Sequence, residues 1–284
     1  MSGRRHVSTV RLRRLAAELR QLRDSAQMTR EDVTARTSIN TVTLYRIETA
    51  KARPQARTLQ TLLDLYGVPE PHRTELIALS REAAQRGWLH SFPSELPEHY
   101  TTYIGFESEA ESVRNYESLY MPGLLQTQEY AEALVRGVLP AISGDDVDSR
   151  VQARMERQKL LTSSTPLQLS AIVSEASLHC RVGGAKIMRK QLEHLIEVSA
   201  IPNVTFQVIP FDVGAHPGIQ GSFAVLHFPA PDPDIVYLES MAGDLFLEAE
   251  VEINRYNLVF DYLRGLALSP EASRKLTADF AQKT

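Results

Sequence analysis

Apolar residues recur at spacings of three and four through most of the first eighty positions, the period of helices with one buried face. Leu12, Leu15, Ala16, Leu19 and Leu22 mark the first helix. Thr29-Arg-Glu-Asp32 has the form of a capping box that opens a short helix and carries Val33 inward. Residues 37–40 break the period as a turn, and Asn40 can cap a third helix running to about Ala50. Pro54 falls in a loop. Thr58 can cap a fourth helix through Leu59, Leu62, Leu63 and Tyr66, with Gly67 placed to end it. A fifth helix, about 70–86, carries Leu76, Ile77 and Leu79.

The pattern changes over 85–103. Gly87, Pro93 and Pro97 interrupt it, and Trp88, Phe92, Tyr100 and Tyr103 crowd the stretch, which reads as a linker or boundary. Beyond it, helical periods predict helices at 105–119, 127–138, 145–163 and 184–200. Short runs rich in Val, Ile and Phe predict strands at 167–173, 204–210, 221–228 and 234–240. A helix at about 246–266 and another after Ser269-Pro270 complete the chain. The expected architecture is multi-domain. An all-α domain of five helices (1–84) and a linker (85–103) precede an α+β domain with a small sheet (104–284).

Charge sharpens this division. Residues 1–60 hold 13 Arg and Lys against 5 Asp and Glu, a net of +8; with −4 over the whole chain, the remainder carries −12. A basic head on an acidic body points to a polyanionic partner for the head, or to a solvated arginine-rich surface. The single cysteine, Cys180, excludes a disulfide framework and a thiolate metal cluster, and suits a reducing, cytoplasmic setting. The basic start lacks the apolar run of a signal peptide. No apolar stretch approaches the ~20 residues that span a bilayer, so no membrane partner is expected.

Residues 29–49 carry the chemistry. Two short helices joined by a tight turn form a helix-turn-helix, whose second helix enters the major groove of double-stranded DNA. Val33, Ile39, Leu44 and Ile47 would hold the pair together. Asn40, Thr41, Val42, Thr43, Tyr45 and Arg46 would then lie on the outer face or at the helix N-terminus. Arg46 can offer its planar fork to guanine or to a phosphate. Asn40 can bond adenine or a phosphate, the threonines offer hydroxyls and methyls, and Val42 can meet a thymine methyl. Tyr45 suits the sugar–phosphate backbone. Arg30 can reach phosphate beside the amides of the preceding helix. Arg14, with Arg4, Arg5, Arg11 and Arg13, can add phosphate or minor-groove contacts.

Residues 11–68 resemble the Xre/Cro-type helix-turn-helix family, on Thr29-Arg-Glu-Asp-Val-Thr-Ala, Leu44-Tyr-Arg-Ile-Glu48, Pro54 and Leu59 through Val68. Arg30 stands where that family usually has glutamine. Ser38 stands where it has glycine, so a positive φ there would strain the serine. The resemblance extends to nearly the whole chain. It rests on Trp88, Tyr116-Glu117, Met121-Pro-Gly-Leu-Leu-Gln-Thr127, Tyr130-Ala131 and Arg154-Met-Glu-Arg-Gln158, and further on Ser174-Glu-Ala-Ser-Leu178, Gln191-Leu192 and His216-Pro-Gly218 before Phe223. Together these resemble actinobacterial WhiJ-like regulators. The resemblance implies a transcription factor of development or antibiotic production, with a small companion protein as a possible partner.

In the second domain, Pro122 and Gly123 should form a turn, Leu124 and Leu125 pack inward, and Thr127 cap a helix. Glu175, at a strand end, is either a ligand-holding or a helix-capping carboxylate. His216, in a glycine-flanked loop, either lines a pocket or is solvated. Arg154 and Arg157 share a helix face and can form ion pairs or meet an acidic partner. The helix at 246–266 can pack on the sheet or form a dimer seam. No His-Glu-x-x-His pair, serine elbow, phosphate loop or dinucleotide fingerprint is present. The chain is therefore expected to be no enzyme and to hold no cofactor or metal. A homodimer follows from the two-fold geometry of operators. Two roles stay open: a regulator switched by a small-molecule effector or protein acting on 104–284, and an antitoxin-like or anti-factor protein that binds DNA for autoregulation.

Overall fold

Three short helices of the N-terminal half begin where a side-chain oxygen accepts one of the amides that a helix leaves open. Thr9 accepts from Leu12 N at 3.1 Å and starts α1 (Val10–Ser25). Thr29 and Asp32 exchange both bonds of the capping box at the head of α2 (Arg30–Thr37). Asn40 accepts from Val42 N at 2.8 Å and starts α3 (Thr41–Glu48). α4 (Ala56–Leu65) begins ahead of the predicted cap; Gln55 stands at its N-cap without a side-chain bond, and Thr58 lies inside the first turn. Gly67, at φ 64°, supplies the left-handed residue beyond its end. α5 spans His72–Glu82. Leu15, Leu19, Val33, Leu44, Ile47, Leu62 and Leu76 belong to the shared core of these five helices.

This computed structural model describes residues 9–83, 96–230, 232–240 and 243–284. Arg4, Arg5, Gly87, Trp88, Phe92 and Pro93 lie outside the described residues. The chain divides into two units, Met1–His90 and Ser91–Thr284.

The second unit is α+β. After α6 (Glu98–Glu109) comes β1 (Ser112–Glu117), a strand inside the segment whose pattern predicts a helix to 119. α7 (Gln128–Val138) and α8 (Gly144–Gln158) lead to β2 (Gln168–Ser174); α9 (Ala176–His179) and α10 (Ala185–Val198) lead to β3 (Val204–Ile209). β4 (Phe223–His227), β5 (Ile235–Leu238) and β6 (Leu245–Leu247) follow, then α11 (Glu250–Leu266) and α12 (Pro270–Lys283). β6 is a second correction, since Leu-Phe-Leu reads as the start of a helix in sequence.

The sheet order is β3-β2-β1-β4-β5-β6. β1, β2 and β3 run parallel; β4 turns back antiparallel beside β1, and β5 and β6 continue that sense. The chain thus lays strands to one side of β1 and then crosses to the other, which makes the β1/β4 boundary the topological switch point. Tyr116, Phe223, Val225 and Val236 pack against Ile253, Phe260 and Leu263 of α11 on one face. By strand alternation, Asn115, Glu117, Ala224 and Tyr237 point to the other. No helix among the described residues is long and apolar enough to cross a membrane.

Candidate functional site

On α3 the helical period separates two faces. Leu44, Ile47 and Glu48 are buried, while Val42, Thr43, Tyr45 and Arg46 are exposed, Val42 by 66%. The Arg46 side chain makes no hydrogen bond or ion pair among the described residues. Ser38, at φ 60° and ψ 13°, makes the left-handed turn that swings the chain from α2 into α3.

Glu48 anchors the helix from below. Its carboxylate accepts from Arg23 Nε at 2.6 Å and from Arg30 Nε at 2.7 Å. The Glu48 bond, against the cost of burial, holds Arg23 above its ordinary pKa. Arg23 also donates to the Met28 carbonyl at 2.8 Å, so one carboxylate ties together α1, α2 and α3. Sequence reading missed this clamp. Its signal was Arg23 itself, four residues after Leu19 on the inward stripe of α1, where a guanidinium needs a buried anion.

The other expected DNA residues fall into two groups. Arg30 is half-buried and partly committed: its Nε is on Glu48, and its guanidinium lies 5.3 Å from the centroid of the Tyr45 ring. Lys51 Nζ lies 5.6 Å from the same ring, so Tyr45 stands amid positive charge. Thr34 donates to the Arg30 carbonyl, which leaves Thr41 as the donor in the 3.2 Å bond between the two hydroxyls. Thr41 therefore joins α3 to α2 and keeps only acceptor capacity. Asn40 accepts the Val42 amide on Oδ1 as its cap, which leaves the second lone pair of that oxygen and the amide NH2 for DNA. Arg14 lies half-buried on α1. Arg30, Thr29, Thr41, Val42 and Tyr45 line an open groove between the head of α2 and α3.

The second unit contains a cavity of about 90 Å³ at the carboxyl end of β1, where β4 begins. Arg150, Arg154 and Arg157, at helical spacings of four and three, project into it from α8. Arg157 is 4% exposed and bonded through each of its three side-chain nitrogens. It donates from Nε and Nη2 to the buried Glu107 at 2.6 and 2.8 Å, and from Nη1 to Tyr100 Oη at 3.3 Å. Arg154 donates from Nη1 to Gln126 Oε1 at 2.8 Å, and its Nε is buried without a partner. Glu117 is 8% exposed; Asn115 donates to its Oε1 at 3.1 Å, while Oε2 is buried without a partner. Burial pushes the Glu117 carboxyl up to about 7, with Ser222, Asn115 and Arg154 pulling it down and Glu239 pushing it further up.

The Pro-Gly-Leu-Leu-Gln-Thr turn frames this cavity. Gln126 donates to the Met121 carbonyl at 2.6 Å, and Gln191 receives Thr127 N at 2.7 Å while donating to the Leu125 carbonyl at 2.7 Å. Gly123 brings the chain to Arg157, whose Nη2 would lie 3.4 Å from an added Cβ. Thr127 caps α7 as expected. Arg157 is thus an ion-pair residue, whereas Arg154 pairs with an amide.

Glu175 and His216 lie away from the cavity. Glu175 accepts from Phe211 N at 2.8 Å, fastening the end of β2 to the turn after β3. The His216 ring meets Tyr116 edge-on at 6.2 Å, and burial lowers its pKa. Close by, Gly218 packs so tightly on Tyr116 that an added Cβ would fall 2.4 Å from the ring. No group of three or more His, Cys, Asp or Glu suited to a metal ion occurs among the described residues.

Residues 2–76 match the family described as a helix-turn-helix domain. Residues 100–279 match the family described as a domain of unknown function, DUF5753. No curated protein and no solved structure matches the chain.

Proposed function

As the chain belongs to the family of the domain of unknown function DUF5753 and carries a helix-turn-helix domain ahead of it, we propose that it is a sequence-specific DNA-binding transcriptional regulator. The observation that carries this reading is the outer face of α3. It presents an unpaired arginine, a tyrosine amid cations, a threonine and a valine on a helix whose underside is fastened by Leu44, Ile47 and the Glu48 clamp. A rigid platform of this kind positions side chains for base edges at little further entropic cost.

In this reading Arg46 reads a base, with Val42 and Thr43 beside it. Tyr45, Arg30 and the Asn40 amide meet the backbone, and Arg14 adds a phosphate contact. The protein acts as a cytoplasmic homodimer on two half-sites about 34 Å apart. A ligand or a small companion protein acting on the second unit modulates it. We place it with the actinobacterial Xre-type regulators of the WhiJ-like kind, and assign it neither catalysis nor a cofactor.

The test is a fluorescence-anisotropy titration against DNA from the gene's own upstream region, with scrambled competitor, at several salt concentrations. Binding that resists the competitor and weakens with salt supports the reading; equal affinity for scrambled DNA sinks it for that site. Arg46→Ala should cost about 1–3 kcal/mol of specific binding. A loss under about half a kcal/mol removes Arg46 from the base-reading set.

An antitoxin-like role, in which the second unit chiefly holds a protein, has support from α11. Val251, Leu258 and Tyr262 stand exposed there by 81%, 72% and 58%. Wild-type affinity for DNA that changes only when a neighbouring small protein is added would favour that role.

A further inference from the structure

At the cavity at the end of β1, two buried polar atoms have no protein partner. Buried polar atoms are nearly always paired, because an unpaired one loses its bonds to water without replacement. Here two are left bare on one cavity wall and its neighbour: Glu117 Oε2 at the tip of β1, and Arg154 Nε on α8. One is an acceptor with negative charge and the other a donor with positive charge, yet they form no ion pair with each other. Arg154 bonds Gln126 instead, and Glu117 bonds Asn115. Gln126 of the Pro-Gly-Leu-Leu-Gln-Thr turn holds Arg154, and Asn115 of the same strand holds Glu117, so the two cannot close on each other without disturbing those bonds.

The position carries independent weight. In open sheets ligands settle beyond the carboxyl ends of strands where the strand order reverses, because neighbouring connections diverge there and leave a crevice. β1 is that strand in this sheet, with β2 on one side and β4 on the other. The walls around the two bare atoms are aromatic, with Tyr100, Tyr103 and Tyr237 in the lining. Arg150, half-buried with its guanidinium 5.8 Å from the Tyr100 ring, has no ion pair among the described residues.

We infer that this cavity binds an amino-acid-sized zwitterion, its ammonium on Glu117 and its acidic group on Arg150 and Arg154. A donor group satisfies the bare carboxylate oxygen, and an acceptor satisfies the bare guanidinium nitrogen. A molecule with only one of the two leaves the other unpaired and loses affinity accordingly. At about 90 Å³ the cavity is of a size to enclose a small zwitterion rather than a nucleotide or a peptide. The site deepens the sensor role proposed for the second unit, and only its regulatory consequence rests on that role.

The experiment is isothermal titration calorimetry of the full chain with each proteinogenic L-amino acid. Glycinamide, which lacks the carboxylate, and N-acetylglycine, which lacks the ammonium, serve as half-ligands. At least one amino acid should bind with a Kd of about 1 mM or tighter, and both half-ligands should bind about tenfold more weakly. Glu117→Gln and Arg154→Gln should each weaken that amino acid about tenfold or more, while Glu175→Gln leaves it unchanged. Far-ultraviolet circular dichroism melts check that each variant is folded. A cavity that takes up only water, shown by no heat from any amino acid at millimolar concentrations, overturns the inference. So does binding that survives Glu117→Gln in a folded variant. The DNA titration is separate: amino-acid binding without DNA binding keeps the site and removes its regulatory role, and DNA binding without amino-acid binding keeps the DNA-binding reading and removes the site.

Discussion

Glu117 shows what one side chain can cost a fold. Its carboxyl is raised from 4.5 to about 7, first of all by burial. The folded state therefore holds this proton more tightly than the unfolded chain. Stability contributed by the group is full below pH ~4.5 and is lost as pH rises to ~7, where the loss reaches about 3 kcal/mol. Glu117→Gln should thus stabilise the protein against urea at pH 8 and change little at pH 4.5; equal shifts at both would show that ionisation is not the cause. Such a group persists where something other than stability retains it. Arg46 stands at the opposite extreme, an exposed arginine whose position follows from counting along the helix from Leu44 and Ile47. Asn40 lies between them: its cap was legible, but that one lone pair of Oδ1 is taken by Val42 N was visible once that bond was seen.

Among elements, the turn between α2 and α3 sets how the recognition helix leaves its neighbour. Ser38 occupies the left-handed region, where a Cβ is penalised and glycine is not. Ser38→Gly should stabilise the first unit by about 0.5–1 kcal/mol, read as a shift in urea midpoint. No gain, or a loss, would mean that the serine repays its strain in a way the turn geometry does not show. β1 carries the opposite lesson. A central strand with both faces covered normally reads as a continuous apolar run. Ser-Val-Arg-Asn-Tyr-Glu does not, because Arg114 reaches across to Asn257 and Asp261 on α11 while Asn115 and Glu117 face the cavity. Two of the polar residues that hid the strand from its sequence pattern, Asn115 and Glu117, are the ones the site uses.

For the molecule as a whole, the open question is assembly. α11 packs Ile253, Phe260 and Leu263 inward, and its outer side bears Val251, Leu258 and Tyr262 at spacings of seven and four. These positions form one stripe of a helix, and a second copy related by a two-fold axis would cover it with the same stripe. If that stripe forms the homodimer seam, Leu258→Glu should convert dimer to monomer in sedimentation-velocity runs and weaken DNA binding by more than any single phosphate contact. An unchanged dimer would move the interface elsewhere, and a wild-type monomer would leave the stripe to a different protein.

The amino-acid sequence alone determined the features that depend on a few neighbouring residues. These are the five N-terminal helices, the caps at Thr29, Asn40 and Thr127, the serine at the tight turn, and the outward face of α3. Each follows from bonds and spacings within about four positions along the chain. Tertiary structure decided whatever joins distant residues. Glu48 clamps Arg23 from 25 positions away, and Arg157 reaches Glu107 across 50. The cavity gathers α6, β1, α8, β4 and the end of β5, and β1 is a strand because β2 and β4 pair with it on both sides. Sequence periodicity registers which side of a segment is buried. It does not register which distant segment buries it, or which polar atom is left without a partner when it does.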